Sequence, residues 1–129
     1  MMTFKNIFRN LIGFSLLPIL LVACGGEPAV SYSQDVKPIL DQHCLECHQA
    51  GGEGLVTSGL NMMTYEDLMK GTRAGPMIIA GDAEGSNLLV LMEGRADPSI
   101  SMPHGEQKSV AKQDIQTIRL WIEQGAKNN

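Results

Sequence analysis

Bulky aromatic side chains are scarce in this sequence. All three phenylalanines (Phe4, Phe8, Phe14) fall near the start, and beyond them only Tyr32, Tyr65 and Trp121 remain. A small domain normally fills its core with large apolar groups, so something other than side chains is expected to take up part of the interior. Positive charge is also short. Ten Lys and Arg face fourteen Asp and Glu, a formal charge of −4. That balance excludes a nucleic-acid binder, which needs a basic surface, and docking to anionic lipid by charge alone. There is no alternating apolar–polar run that would mark a strand. The one apolar run, Leu11 to Leu21, is broken by Gly13, Ser15 and Pro18. It is shorter than the ~20 residues that span a bilayer.

That run follows a start with Lys5 and Arg9 and no acid, and ends in Leu21-Val22-Ala23-Cys24. A basic start, a short apolar core and a small residue before the cleavage point make an export signal. With a cysteine immediately after, the stretch resembles a bacterial lipoprotein signal, in which the chain is cut before the cysteine and lipid is attached to it. Residues 1–23 are therefore expected to be removed and Cys24 lipidated. Losing Lys5 and Arg9 leaves eight basic and fourteen acidic residues, a charge of −6. Residues 24–33 have the Gly, Pro and Ser of a tether, and one domain follows over residues 34–127. Gly25 rather than Asp after the lipidated cysteine implies, by the same resemblance, an outer-membrane anchor with the domain in the periplasm. In a source with one membrane the outer face of the cytoplasmic membrane takes its place.

Within the domain the expectation is all-α: three to five short helices joined by long loops. A first helix is predicted from about Asp35 to His43. Ser33 or Asp35 would cap it, Pro38 sits in its first turn, and Val36, Ile39 and Leu40 share one face. A glycine-rich loop follows (Gly51, Gly52, Gly54, Gly59). Thr64 caps a helix that stops at Gly71, and Ser86 caps another that ends at Gly94. Residues 95–107 read as loop. Ser109 caps a last helix that Gly125 terminates, with Ala111, Ile115, Ile118 and Ile122 as its apolar stripe and Trp121 beside it. Loops this long in a compact domain call for a function, and wrapping a cofactor is one.

The chemistry sits in Cys44-Leu45-Glu46-Cys47-His48. Cys-x-x-Cys-His is the attachment pattern of c-type haem. On a helical turn residues i, i+3 and i+4 share a face. Cys44 and Cys47 can then bond the porphyrin edge while His48 reaches the iron. Zinc would require a second Cys/His pair, which is missing. A thioredoxin-like dithiol requires strands, and a structural disulfide is the plainest rival. With haem, the three cysteines are all accounted for: one for lipid, two for the cofactor.

For the second axial position the sequence offers several methionines and two histidines. Met69 and Met92 sit among leucines on predicted helices and read as core filler. Met62 and Met63 precede a helix cap, and His43 abuts Cys44. Met102 stands apart, in Ser-Met-Pro-His just before the last helix, where Pro103 favours an extended Met102. Context alone ranks Met102 first, then His104 and Met77.

Several segments together resemble planctomycete-type cytochrome c domains, relatives of class I cytochromes c. They are Val36-Lys37-Pro38-Ile39-Leu40, His43 to His48, Gly81-Asp82-Ala83-Glu84-Gly85-Ser86-Asn87-Leu88-Leu89, Ser101-Met102-Pro103-His104-Gly105, and the run from Ile115 to Gly125. The resemblance implies a cytochrome c-like fold around one covalent haem, with the first and last helices crossing near Trp121. It implies Cys44 and Cys47 as thioether sites, His48 as proximal ligand and Met102 as distal ligand. In many class I domains a proline carbonyl soon after the haem motif orients the proximal histidine. This chain has no proline between His48 and Pro76, so the acceptor is not legible. The expected role is one-electron transfer with redox-protein partners and no reaction of its own. The alternatives are a haem enzyme or gas-binding domain with an open sixth position, and a structural lipoprotein with a Cys44–Cys47 disulfide.

Overall fold

The computed structural model describes residues 27–104 and 109–129. The expected signal and Cys24 lie outside the described residues. Among the described residues there are five α-helices, α1 Lys37–His43, α2 Glu53–Ser58, α3 Tyr65–Lys70, α4 Asn87–Met92 and α5 Lys112–Glu123. They contain no strand, only the isolated bridges Thr72–Gly75 and Ile79–Asp82. The all-α, cytochrome c-like reading holds. No helix among them is long and apolar enough to cross a membrane.

The chain enters α1 through a π turn, Tyr32–Val36. Its cap is Ser31, not Ser33 or Asp35. The Ser31 hydroxyl accepts from the Gln34 N–H, and the Ser31 N–H donates to the Asp35 carboxylate at 2.8 Å. This reciprocal pairing satisfies two backbone-end demands at once. Val36 and Leu40 are fully buried. The glycine-rich segment read as loop holds a helix after all. Gly52 starts α2 and Gly59, at φ +82°, ends it in the left-handed conformation that costs glycine nothing.

Thr64 caps α3 as expected, accepting from the Asp67 N–H at 3.1 Å. Ser86 occupies the cap position of α4, but its hydroxyl turns inward. It accepts from the Ile79 N–H and donates to the Asp82 carbonyl at 2.7 Å. A fully buried hydroxyl requires partners, and the preceding loop supplies both. The expected Ser109 cap is also displaced, since α5 begins after Ala111 without a side-chain cap. Ala111 is exposed and outside the apolar stripe, whereas Ile118, Trp121 and Ile122 are buried.

α5 packs against the π turn and α4. At the first contact Trp121 lies 5.5 Å from the Tyr32 ring and 6.4 Å from that of Tyr65. Its indole N–H donates to the Lys127 carbonyl at 2.8 Å. The aromatics among the described residues therefore gather where α5 meets the π turn, leaving little aromatic bulk for the rest of the interior. At the second contact Arg119 bridges Glu93 and Glu84, both at 2.5 Å, and Arg95 adds a bond to Glu93 at 2.7 Å. Burial pushes the Glu93 carboxyl up, but the two guanidinium groups more than offset this and hold it below its ordinary value.

The stretch read as a tether is partly docked. Gln124 accepts from the Val30 N–H and donates to the Pro28 carbonyl. The Asn129 side chain accepts from the Tyr32 N–H at 2.9 Å.

Candidate functional site

The turn after α1 carries the two cysteines. Cys44 N–H continues the helical bonding to Leu40, and the His48 N–H closes on the Cys44 carbonyl at 3.0 Å. Cys44, Cys47 and His48 thereby come to line one cavity of about 490 Å³, a volume within the range of cofactor sites. Burial, with Cys47 and Asp41 nearby, pushes the Cys44 thiol up to about 11. A thiol held protonated is unlike the low-pKa nucleophiles of dithiol redox enzymes. Cys44 and Cys47 are not joined by a disulfide.

His48 is 6 % exposed. Its Nδ1 lies 3.2 Å from the Leu60 carbonyl. A carbonyl can only accept, so Nδ1 carries the proton and Nε2 keeps its lone pair, the tautomer a metal-binding imidazole needs. Burial lowers the His48 pKa, the Leu60 carbonyl partly offsets this, and the nearby His104 adds to the lowering. Leu60 is thus the acceptor that no proline supplies. Two further bonds steady it: its own N–H donates to Ser58 Oγ at 3.1 Å, and Ser58 Oγ donates to the Gly54 carbonyl at 2.6 Å. The Met62 N–H, two residues on, bonds the His48 carbonyl at 2.8 Å.

Gly54 explains why this segment is glycine-rich. A Cβ there would stand 2.8 Å from His48 Cε1 and 2.9 Å from both Nδ1 and the Cys47 carbonyl oxygen. The helix backbone passes close to the imidazole, and only a residue without a side chain permits it. Gly54→Ala is expected to cost about 1–3 kcal/mol and to tilt the ring off its Leu60 acceptor. Thermal unfolding and the absorption spectrum of the haem-loaded protein would check this. An unchanged midpoint and spectrum would show that the ring does not rest on Gly54.

Mostly apolar side chains make up the remaining walls. Leu88, Leu91 and Met92 come from α4, and Met62, Met77 and Val110 from the flanking segments. Met92, read as core filler, packs against the core and also lines the cavity. Met102, Pro103 and His104 complete the lining. The Met102 N–H donates to the Leu91 carbonyl at 3.2 Å, hanging this segment on the end of α4. The cavity thus brings together all four haem-site residues expected from the sequence: Cys44, Cys47, His48 and Met102. His43 lines it too, with Nε2 4.0 Å from Asp114. No residue pattern marks the Leu60 carbonyl, because backbone oxygen belongs to every residue type. Gly54 had a sign, the density of glycines just past the motif.

Residues 44–106 match the family model described as Planctomycete cytochrome C. No curated protein and no solved structure matches the chain. The helical fold, the motif and this match define a haem-binding cytochrome. The chain carries a planctomycete-type cytochrome c domain, whose cofactor is covalent haem c, and Cys44 and Cys47 have the spacing of its attachment motif. The cavity fits that group: two thiols and a neutral imidazole on one turn, apolar walls for a flat ring, and soft thioether sulfur.

Proposed function

We propose that this protein is a membrane-anchored one-electron carrier. Cys44 and Cys47 would hold the haem by thioether bonds, and His48 and Met102 would fill the two axial positions. One observation carries this reading: a single cavity is lined both by the Cys44–His48 turn and by Met102 on a separate segment. When bound, the haem supplies an iron that gains or loses one electron. The chain's residues do the rest. The Leu60 carbonyl orients His48, and the Leu91 carbonyl fixes the backbone of Met102. A neutral thioether favours ferrous iron and raises the potential. The walls around the site are mostly apolar. Held by those two carbonyls, His48 and Met102 would need little rearrangement as an electron is gained or lost. With a charge of −6 on the mature chain, a basic redox partner would bind briefly and at a salt-sensitive rate.

The reduced protein is expected to bind carbon monoxide slowly or not at all at neutral pH, and the oxidised protein not to turn over peroxide. Rapid carbon monoxide binding or sustained peroxide turnover would instead establish the enzyme reading, with an open sixth position.

For the anchor we propose Cys24 as the lipid site. Stable attachment takes more than one acyl chain, and a lipoprotein signal provides several. Cys24→Ser is expected to abolish lipid labelling and to leave an uncleaved or unlipidated form. Normal labelling of that variant would refute the anchor while leaving the haem site untouched.

A further inference from the structure

His104 has no role in the reading above, yet it lines the same cavity two residues beyond Met102. We propose that His104 is a reserve iron ligand, whose imidazole takes the sixth position when the Met102 thioether leaves it. The inference rests on Met102 being the resident ligand.

Three observations single out His104. The Met102 N–H bond to Leu91 keeps the segment against the cavity, so His104 starts beside the position it would take. His104 and His48 line the same cavity. It is also exposed, so its side chain can swing without disturbing the core. The other candidates are more constrained. Met62 and Met77 are buried, at 3 % and 7 % exposure. The Met62 backbone is bonded to His48 itself. Met92 is held on α4 and packs against the core cluster beside the buried Leu88 and Leu89.

The exchange breaks an iron–sulfur bond and forms an iron–nitrogen bond. No electron moves, and the second imidazole nitrogen keeps its proton. In the intact protein Met102 has the advantage of a position already held at the cavity wall. Imidazole is an established iron ligand. A chain that loses its methionine would therefore stay six-coordinate and closed to small ligands, at a lower potential.

The test uses haem-loaded Met102→Leu, which keeps the side-chain volume, and the double variant Met102→Leu/His104→Ala. The single variant is expected to lose the near-infrared iron–sulfur band, to stay low-spin with a bis-histidine electron paramagnetic resonance signal, and not to bind carbon monoxide. The double variant is expected to be high-spin and to bind carbon monoxide rapidly. A single variant that is high-spin and binds carbon monoxide would overturn the proposal while leaving Met102 as resident ligand. So would a double variant that stays low-spin, since another group would then be filling the site. An iron–sulfur band that survives in the single variant would overturn both this proposal and the assignment of Met102.

Discussion

Replacing Cys44 and Cys47 together by serine is expected to remove covalently bound haem completely. Thioether bonds survive denaturation, whereas axial coordination does not. Wild-type protein on a denaturing gel should keep its haem peroxidase stain, and the double variant should show none. The two sulfurs sit on one turn whose backbone bonds do not involve the thiols: the Cys44 and His48 N–H groups donate to Leu40 and Cys44 carbonyls. The turn itself should therefore form in the variant, and the loss should be chemical. His48, still oriented by Leu60, could hold haem only reversibly. Acid–acetone extraction distinguishes the two cases, since it should strip the variant and leave the wild type coloured. Wild-type protein that gives up all its haem would refute the thioether assignment.

Trp121→Ala is expected to be the most destabilising single change outside the cavity. The indole is 1 % exposed, meets both tyrosine rings and donates to Lys127. Truncating a buried Trp typically costs about 3–5 kcal/mol, and edge-to-face partners contribute about 0.5–1.5 kcal/mol beyond area. In a domain of this size each kcal/mol moves the unfolding midpoint by roughly 4–8 °C. The midpoint should therefore fall by well over ten degrees. Tyr32 and Tyr65 would lose their shared partner, and the fully buried neighbours Ile118 and Ile122 sit on the same helix as the truncated side chain. Calorimetry or circular dichroism would check the shift, with covalently held haem staying attached throughout. A drop of only a few degrees would show that the aromatic cluster is not what joins the chain's two ends.

Legibility in the sequence followed the range of the interaction. Thr64, Gly71 and Gly125 were readable because a cap or a stop is local chemistry. The same logic misplaced three caps. Ser86 was claimed by the Ile79–Asp82 loop, Ser109 lies ahead of where α5 begins, and Ser33 was pre-empted by Ser31 once the chain opened with a π turn. α2 was hidden by its own glycines, which lower helix propensity but here let the backbone lie on His48. Cys44, Cys47 and His48 were legible because attachment chemistry fixes their spacing. Met102 stood out by its loop. The Leu60 carbonyl and the cavity-facing Met92 depend on how distant segments pack, which no local pattern encodes.

The docking of Pro28–Ser33 onto Gln124 and Asn129 changes how the domain would be carried at a surface. Once those residues are held, a lipid on Cys24 would be separated from them by residues 24–27 alone, at most about 14 Å of chain. Tyr32 opens the helical stretch that continues through α1, while Cys44 lies just past its other end. Lipid at Cys24 would thus make the domain a short-leashed lamp, with its mooring and its redox-active rim at opposite ends of one rod. Partners would approach from the aqueous side, and the domain would pivot about its mooring to meet them.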